Sequence, residues 1–159
     1  MPPLPAYAEL HCLANFTFLR GASHPEELVE RAHALGYSAL AITDECSVAG
    51  IVRAHIAAKQ CNGRDAQRLK LIIGTEVQIE MGPKLVLLAA NRAGYGRICA
   101  LITRARMRAP KGKYRLEAAD LDGLEDALAL LIPDGQHDLA HASFVAQRFP
   151  GRAWIAVAL

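Results

Sequence analysis

The sequence predicts an α/β fold, and three observations carry the prediction. Apolar runs of strand length alternate with helix-period segments along 159 residues, turn chemistry punctuates them, and three runs end in a titratable residue. Such alternation argues for a mainly parallel layer or barrel with crossover connections. Chemistry in folds of this class gathers at the C-terminal mouths of the strands.

Taken in order, Tyr7 to Leu13 reads as a short apolar strand. Ser23-His24-Pro25-Glu26 has capping-box spacing with proline in the first turn, so a helix starts there. Leu28, Ala32 and Leu35 continue its stripe, and Gly36 stands where a helix ends in the left-handed conformation. Tyr37 to Thr43 is the next buried strand. Val48 to Lys59 has helical spacing and is expected to break at Asn62-Gly63, before the apolar strand Leu69 to Ile79. Met81-Gly82-Pro83 turns the chain into the strand Lys84 to Ala90, and Asn91 caps a helix running through Ala105. Ala109 to Lys113 is a basic loop, Leu116 to Leu124 a helical or turn segment, and Ala127 to Ile132 an apolar strand. His137 to Phe149 reads as a helix and Trp154 to Leu159 as a final strand after Pro150-Gly151. A chain ending inside a strand is expected to be a piece of a longer protein, with an exposed edge that favours association.

Composition narrows the class. A hydrophobic fraction of 52% suits one compact domain with its own core, and no apolar run approaches the roughly 20 residues that span a bilayer. Met1-Pro2-Pro3-Leu4-Pro5 lacks the basic start and apolar centre of a signal peptide, so a cytoplasmic location is expected. Cys12, Cys46, Cys61 and Cys99 include no Cys-x-x-Cys pair, which argues against a zinc ribbon or disulfide framework. The net charge of +2 conceals an asymmetry: between Met81 and Leu116 lie nine bases and no acid. Within that block Arg104, Arg106, Arg108, Lys111, Lys113 and Arg115 are candidate contacts for nucleic acid or an acidic partner.

The candidate chemistry is acidic. His11, Asp44 and Glu76 are each expected to follow a strand, with Glu45 beside Asp44, which would bring them to one face. Asp44 could orient a neighbour, hold a cation or cap the helix near Ser47; Glu45 could be a hard oxygen ligand. A multinuclear hydrolytic site needs several neutral imidazoles, yet His24, His33, His55, His137 and His141 fall on predicted helices or caps. Neither a phosphate-binding glycine loop nor a Gly-x-Ser-x-Gly elbow is present.

Residues Leu10 to Ala22, Leu40 to Gly50 and Ile72 to Glu76 resemble, in order, the N-terminal PHP (polymerase and histidinol phosphatase) domain of bacterial C-family DNA polymerases. Leu101 to Leu116 is similar to a distinctive stretch of the error-prone, ImuC-type alpha-subunit branch. In metal-binding members the first motif is His-x-His, with a serine four residues later and an acid before Gly-Ala. Here His11 is kept, but Leu13, Thr17 and Arg20 occupy the other positions. The second motif there is Thr-Asp-His-Gly; here Thr43 and Asp44 are followed by Glu45 and Cys46. Glu76 retains the third motif's glutamate.

The resemblance implies a distorted seven-stranded β/α barrel, incomplete in this chain, with residues 1–159 as the N-terminal portion of the PHP domain. The rest of that domain and the palm, fingers and thumb would lie beyond. The parent would be a DNA-directed DNA polymerase acting in translesion synthesis after DNA damage, using Mg2+ and deoxynucleotides. Its partners would be DNA, the sliding clamp and mutagenesis accessory proteins, with no membrane. In this segment, His11 and Glu76 would be vestigial metal positions, without retained Zn2+ or Mn2+ and without catalytic residues. Two other readings stand beside it: a PHP phosphoesterase using His11, Asp44, Glu45 and Glu76, or a nucleic-acid-binding module built on Arg104 to Arg115.

Overall fold

A computed structural model describes residues 6–64 and 68–157. The chain divides into two compact units, one up to Ile73 and one from Gly74 onward.

In the first unit β1 (Ala8–Cys12) pairs in parallel with β2 (Ala39–Ile42), which pairs in parallel with the opening residues of β3 (Lys70–Gln78). Between β1 and β2 lies α1 (Pro25–Ala34), with Pro25 in its first turn. The cap falls one residue later than the sequence suggested: the His24 backbone N–H donates to Glu27 Oε2 at 2.7 Å. Gly36 ends the helix at φ +77°, the left-handed conformation in which it lacks the Cβ penalty. Between β2 and β3 lies α2 (Ile51–Arg64). The expected break at Asn62-Gly63 does not occur, because the helix carries on through both residues. Asn62 acts with its side chain instead: its Oδ1 accepts from Leu69 N at 2.8 Å and its Nδ2 donates to Leu69 O at 3.0 Å, fixing the entry to β3. Val29, Leu40, Ile42, Ile51, Ala54, Ala57, Cys61 and Leu69 form the core between helices and strands. Each large aliphatic side chain buried there contributes about 1.5–3 kcal/mol.

The second unit is mixed. The later half of β3 runs antiparallel to β4 (Lys84–Ala89), β4 runs antiparallel to β5 (Ala127–Ile132), and β5 pairs in parallel with β6 (Ala153–Ile155). This departs from uniform crossovers for a steric reason. Only residues 79–83 join β3 to β4, too few for the dozen or more that a parallel return needs. The helix α3 (Arg92–Met107) begins at Asn91, whose Oδ1 accepts from Gly94 N at 2.9 Å. A 3-10 turn (Ala118–Leu121) precedes β5, and α4 (Asp138–Arg148) precedes β6. Leu85, Val86, Leu87, Ile98, Leu101, Leu131 and Phe149 are buried. The predicted final strand is shorter than expected, closing at Ile155 with Trp154 and Ile155 more than half exposed; residues 158 and 159, like the N-terminal Met1 to Pro5, lie outside the described residues. All four cysteines are free thiols.

Candidate functional site

In the first unit, the buried run Ala39–Ile42 delivers Thr43, Asp44 and Glu45 to the mouth of β2. Asp44 is 1% exposed and its Oδ1 accepts two hydrogen bonds, from Ala14 N at 2.8 Å and Thr17 Oγ1 at 2.7 Å. It therefore ties the loop after β1 to β2, across about thirty residues of sequence. The start of α2 is organised separately: Ser47 Oγ accepts from Ala49 N at 3.2 Å.

Thr17 is the hub of this loop. Its buried hydroxyl donates to Asp44 while accepting from Glu45 N at 3.0 Å, so its single O–H and one lone pair are both used. The Glu45 carboxylate turns to Arg20, with Oε2 3.0 Å from the guanidinium. Gly21 is required for close approach, because a Cβ there would sit 2.0 Å from Ala14 O. Cys46 takes φ +46°, in the left-handed region that favours glycine. His11 is half-buried at the end of β1, and its backbone N–H donates to Glu9 Oε1 at 3.0 Å. Burial pushes the neighbouring Cys12 thiol up to about 11, which leaves it protonated and unreactive at neutral pH.

Glu76 belongs to the second unit. It is 1% exposed on β3, opposite Val86, and Lys84 on the facing strand places Nζ 3.6 Å from Oε1. The two residues are diagonal cross-strand neighbours, close enough for a long side chain to span.

The basic block is folded back on acids that flank it in sequence. Arg108 bonds Asp120 Oδ2 at 2.5 Å and Arg104 lies 3.8 Å from Oδ1 of the same, nearly buried residue. Arg115 pairs with Glu80 at 2.7 Å and Glu117 at 3.3 Å, and Arg106 stacks 5.4 Å from the Tyr114 ring centre. Lys111 and Lys113, in the exposed loop beyond α3, make no ion pair among the described residues.

A third group escaped the sequence reading. Asp134, His137 and His141, on the turn into α4, place one ligand atom each within 4.8 Å of the others. The spacing Asp-x-x-His-x-x-x-His carries the signal, but helical periodicity places both histidines on a helix and its cap, which hides it.

The profile of the PHP domain family matches residues 9–153. The chain belongs to the PHP family. This PHP chain is 56% identical over 162 residues to the error-prone DNA polymerase of Dechloromonas aromatica, a match covering 98% of the chain and 15% of that protein. It is 52% identical to the error-prone DNA polymerase of Methylococcus capsulatus, covering 96% of the chain and 14% of the relative. The chain thus spans about 15% of the length of the curated relatives it matches. Among solved structures, a Bifidobacterium adolescentis protein carrying the name of a metal-dependent phosphoesterase superposes with TM-score 0.67 at 14% identity, covering 97% of this chain and 78% of its own. An amidohydrolase from Chromobacterium violaceum, solved with sulfate and no metal, gives 0.66 at 18% identity, covering 94% of this chain and 76% of its own. These likenesses establish the PHP-type α/β fold and stop there. Among the described residues no helix is long and apolar enough to cross a membrane.

Proposed function

We propose that this chain is the N-terminal PHP portion of an error-prone DNA-directed DNA polymerase, with the rest of the PHP domain and the polymerase core beyond residue 159, and that it acts as a scaffold. The parent would copy damaged templates with Mg2+ and deoxynucleotides in the cytoplasm, and work with the sliding clamp and mutagenesis accessory proteins. The near-full-chain identity to proteins of that name supports the parent activity.

The observation that carries the scaffold reading is the Arg20–Glu45 ion pair. A divalent cation held at the mouth of β2 would need carboxylates without a fixed competing cation. Glu45 is instead engaged by a guanidinium, and Asp44 Oδ1 is engaged by a backbone N–H and a hydroxyl. In the other unit, Glu76 is faced by Lys84. These donors do not fit the family's metal, so His11, Asp44, Glu45 and Glu76 are assigned no step of a reaction. Any contact of the basic segment with nucleic acid falls chiefly to Lys111 and Lys113, since Arg104, Arg108 and Arg115 are committed to acids. Neutralising both lysines would then lower the salt slope of DNA binding by about two phosphate contacts.

The test uses the complete polymerase. Template-directed primer extension with Mg2+ is expected, together with no hydrolysis of a model phosphodiester after loading with Zn2+ or Mn2+. Metal-dependent hydrolysis that disappears in Glu76→Ala would replace the scaffold with a phosphoesterase.

A further inference from the structure

We propose that Asp134, His137 and His141 form a three-ligand site for a borderline divalent transition-metal ion, zinc foremost, at the turn from β5 into α4. Asp134 Oδ2 lies 3.5 Å from His137 Nδ1 and 3.7 Å from His141 Nδ1. Those separations exceed the usual N–H···O range of about 2.7–3.2 Å. They lie near the ~3.3 Å that separates two ligand atoms around a tetrahedral zinc with bonds of about 2.0–2.1 Å. Two imidazoles and one carboxylate are the mixed N/O donor set that zinc, nickel, copper and iron(II) take, in preference to magnesium or calcium.

The turn is built to hold these donors. His137 and His141 are four apart, so the start of α4 presents both on one face, with ring centres 5.5 Å apart. The other oxygen of Asp134, Oδ1, accepts from Gln136 N and His137 N, both at 2.9 Å. Asp138 Oδ1 in turn accepts from Asp134 N at 3.0 Å and Gly135 N at 3.2 Å. Capping the turn therefore consumes Oδ1 and leaves Oδ2 directed at the two imidazoles.

The cluster opens on a groove of about 420 Å3, lined further by Gln78 to Gly82. With three protein ligands a bound zinc would keep a fourth position for water or another ligand, as in an open rather than a closed site. His141 forms the sheltered side, with 17% of its side chain exposed, and His137 the outer side, with 64%.

Equilibrium dialysis of the chain against zinc, read by elemental mass spectrometry, tests the site. One zinc per chain is expected, with affinity falling at least about tenfold in both His137→Ala and His141→Ala, since even indirect supports of a ligand are worth that much. His11→Ala and Glu45→Ala should leave it unchanged. Cobalt loading should give the visible absorption of a low-coordinate ion in the parent chain and lose it in His141→Ala. Far-UV circular dichroism of the zinc-free variants is expected to match that of the parent chain, which separates loss of a ligand from loss of the fold. Absence of stoichiometric zinc, indifference to His141→Ala, or loss on His11→Ala would each overturn the proposal.

Discussion

Two aspartates mark the difference between the mouth of β2 and the turn after β5. Asp44 is sealed, and Oδ1 serves partners brought from the loop after β1. Asp134 is open: one oxygen is spent on the adjacent backbone and the other faces imidazoles across a gap too wide for a good hydrogen bond. The comparison teaches that a carboxylate's role follows from where its partners come from. Partners distant in sequence make it a tie within the fold, whereas partners from its own turn leave it able to serve a ligand.

The strongest way to break that comparison is to delete each carboxylate. Asp44→Ala leaves a buried N–H and a buried hydroxyl without their acceptor, so urea unfolding should show a loss of about 2–4 kcal/mol. Asp134→Ala removes only contacts within a surface turn and should move the urea midpoint far less than Asp44→Ala does. Equal losses would erase the distinction. Next in size is Thr17→Val, which removes a donor to Asp44 and an acceptor for Glu45 N at constant shape; a loss of about 1–3 kcal/mol is expected, with Thr17→Ser recovering most of it. The smallest effect belongs to Arg20 and Glu45, both about one-third exposed. A double-mutant cycle on them should give about 0.2–1 kcal/mol of coupling that shrinks as salt is added.

How much of this was legible in the sequence follows the range of the interactions. The strand Ala127–Ile132 and the Asn91 cap were readable because they depend on neighbours. The helix α2 outlasting Asn62-Gly63 was not, because packing of Ala57, Ala58 and Cys61 in the core outweighs one glycine's cost of about 1 kcal/mol. The antiparallel course of β4 was implicit in the short turn before it, a counting argument that alternation alone obscured. In the site, the positions of Asp44 and Glu45 just past a strand end were visible, but their partners were not, and Glu76 falls inside β3 because the ladder to β4 carries the strand on to Gln78. That Thr17 would join Asp44 to Glu45, or that Arg108 would turn back to Asp120, depends on loops that no periodicity describes.

The Arg20–Glu45 pair also constrains substitution. The metal-binding motifs that the sequence resembles would have an acid and a histidine at these positions, so matching that pattern would take a change at each. Changing Arg20 to an acid first sets two carboxylates against each other; changing Glu45 to histidine first leaves a guanidinium beside an imidazole. The exchange of charges at the mouth of β2 thus couples the two positions, so that a change at either one alters the electrostatic surroundings of the other.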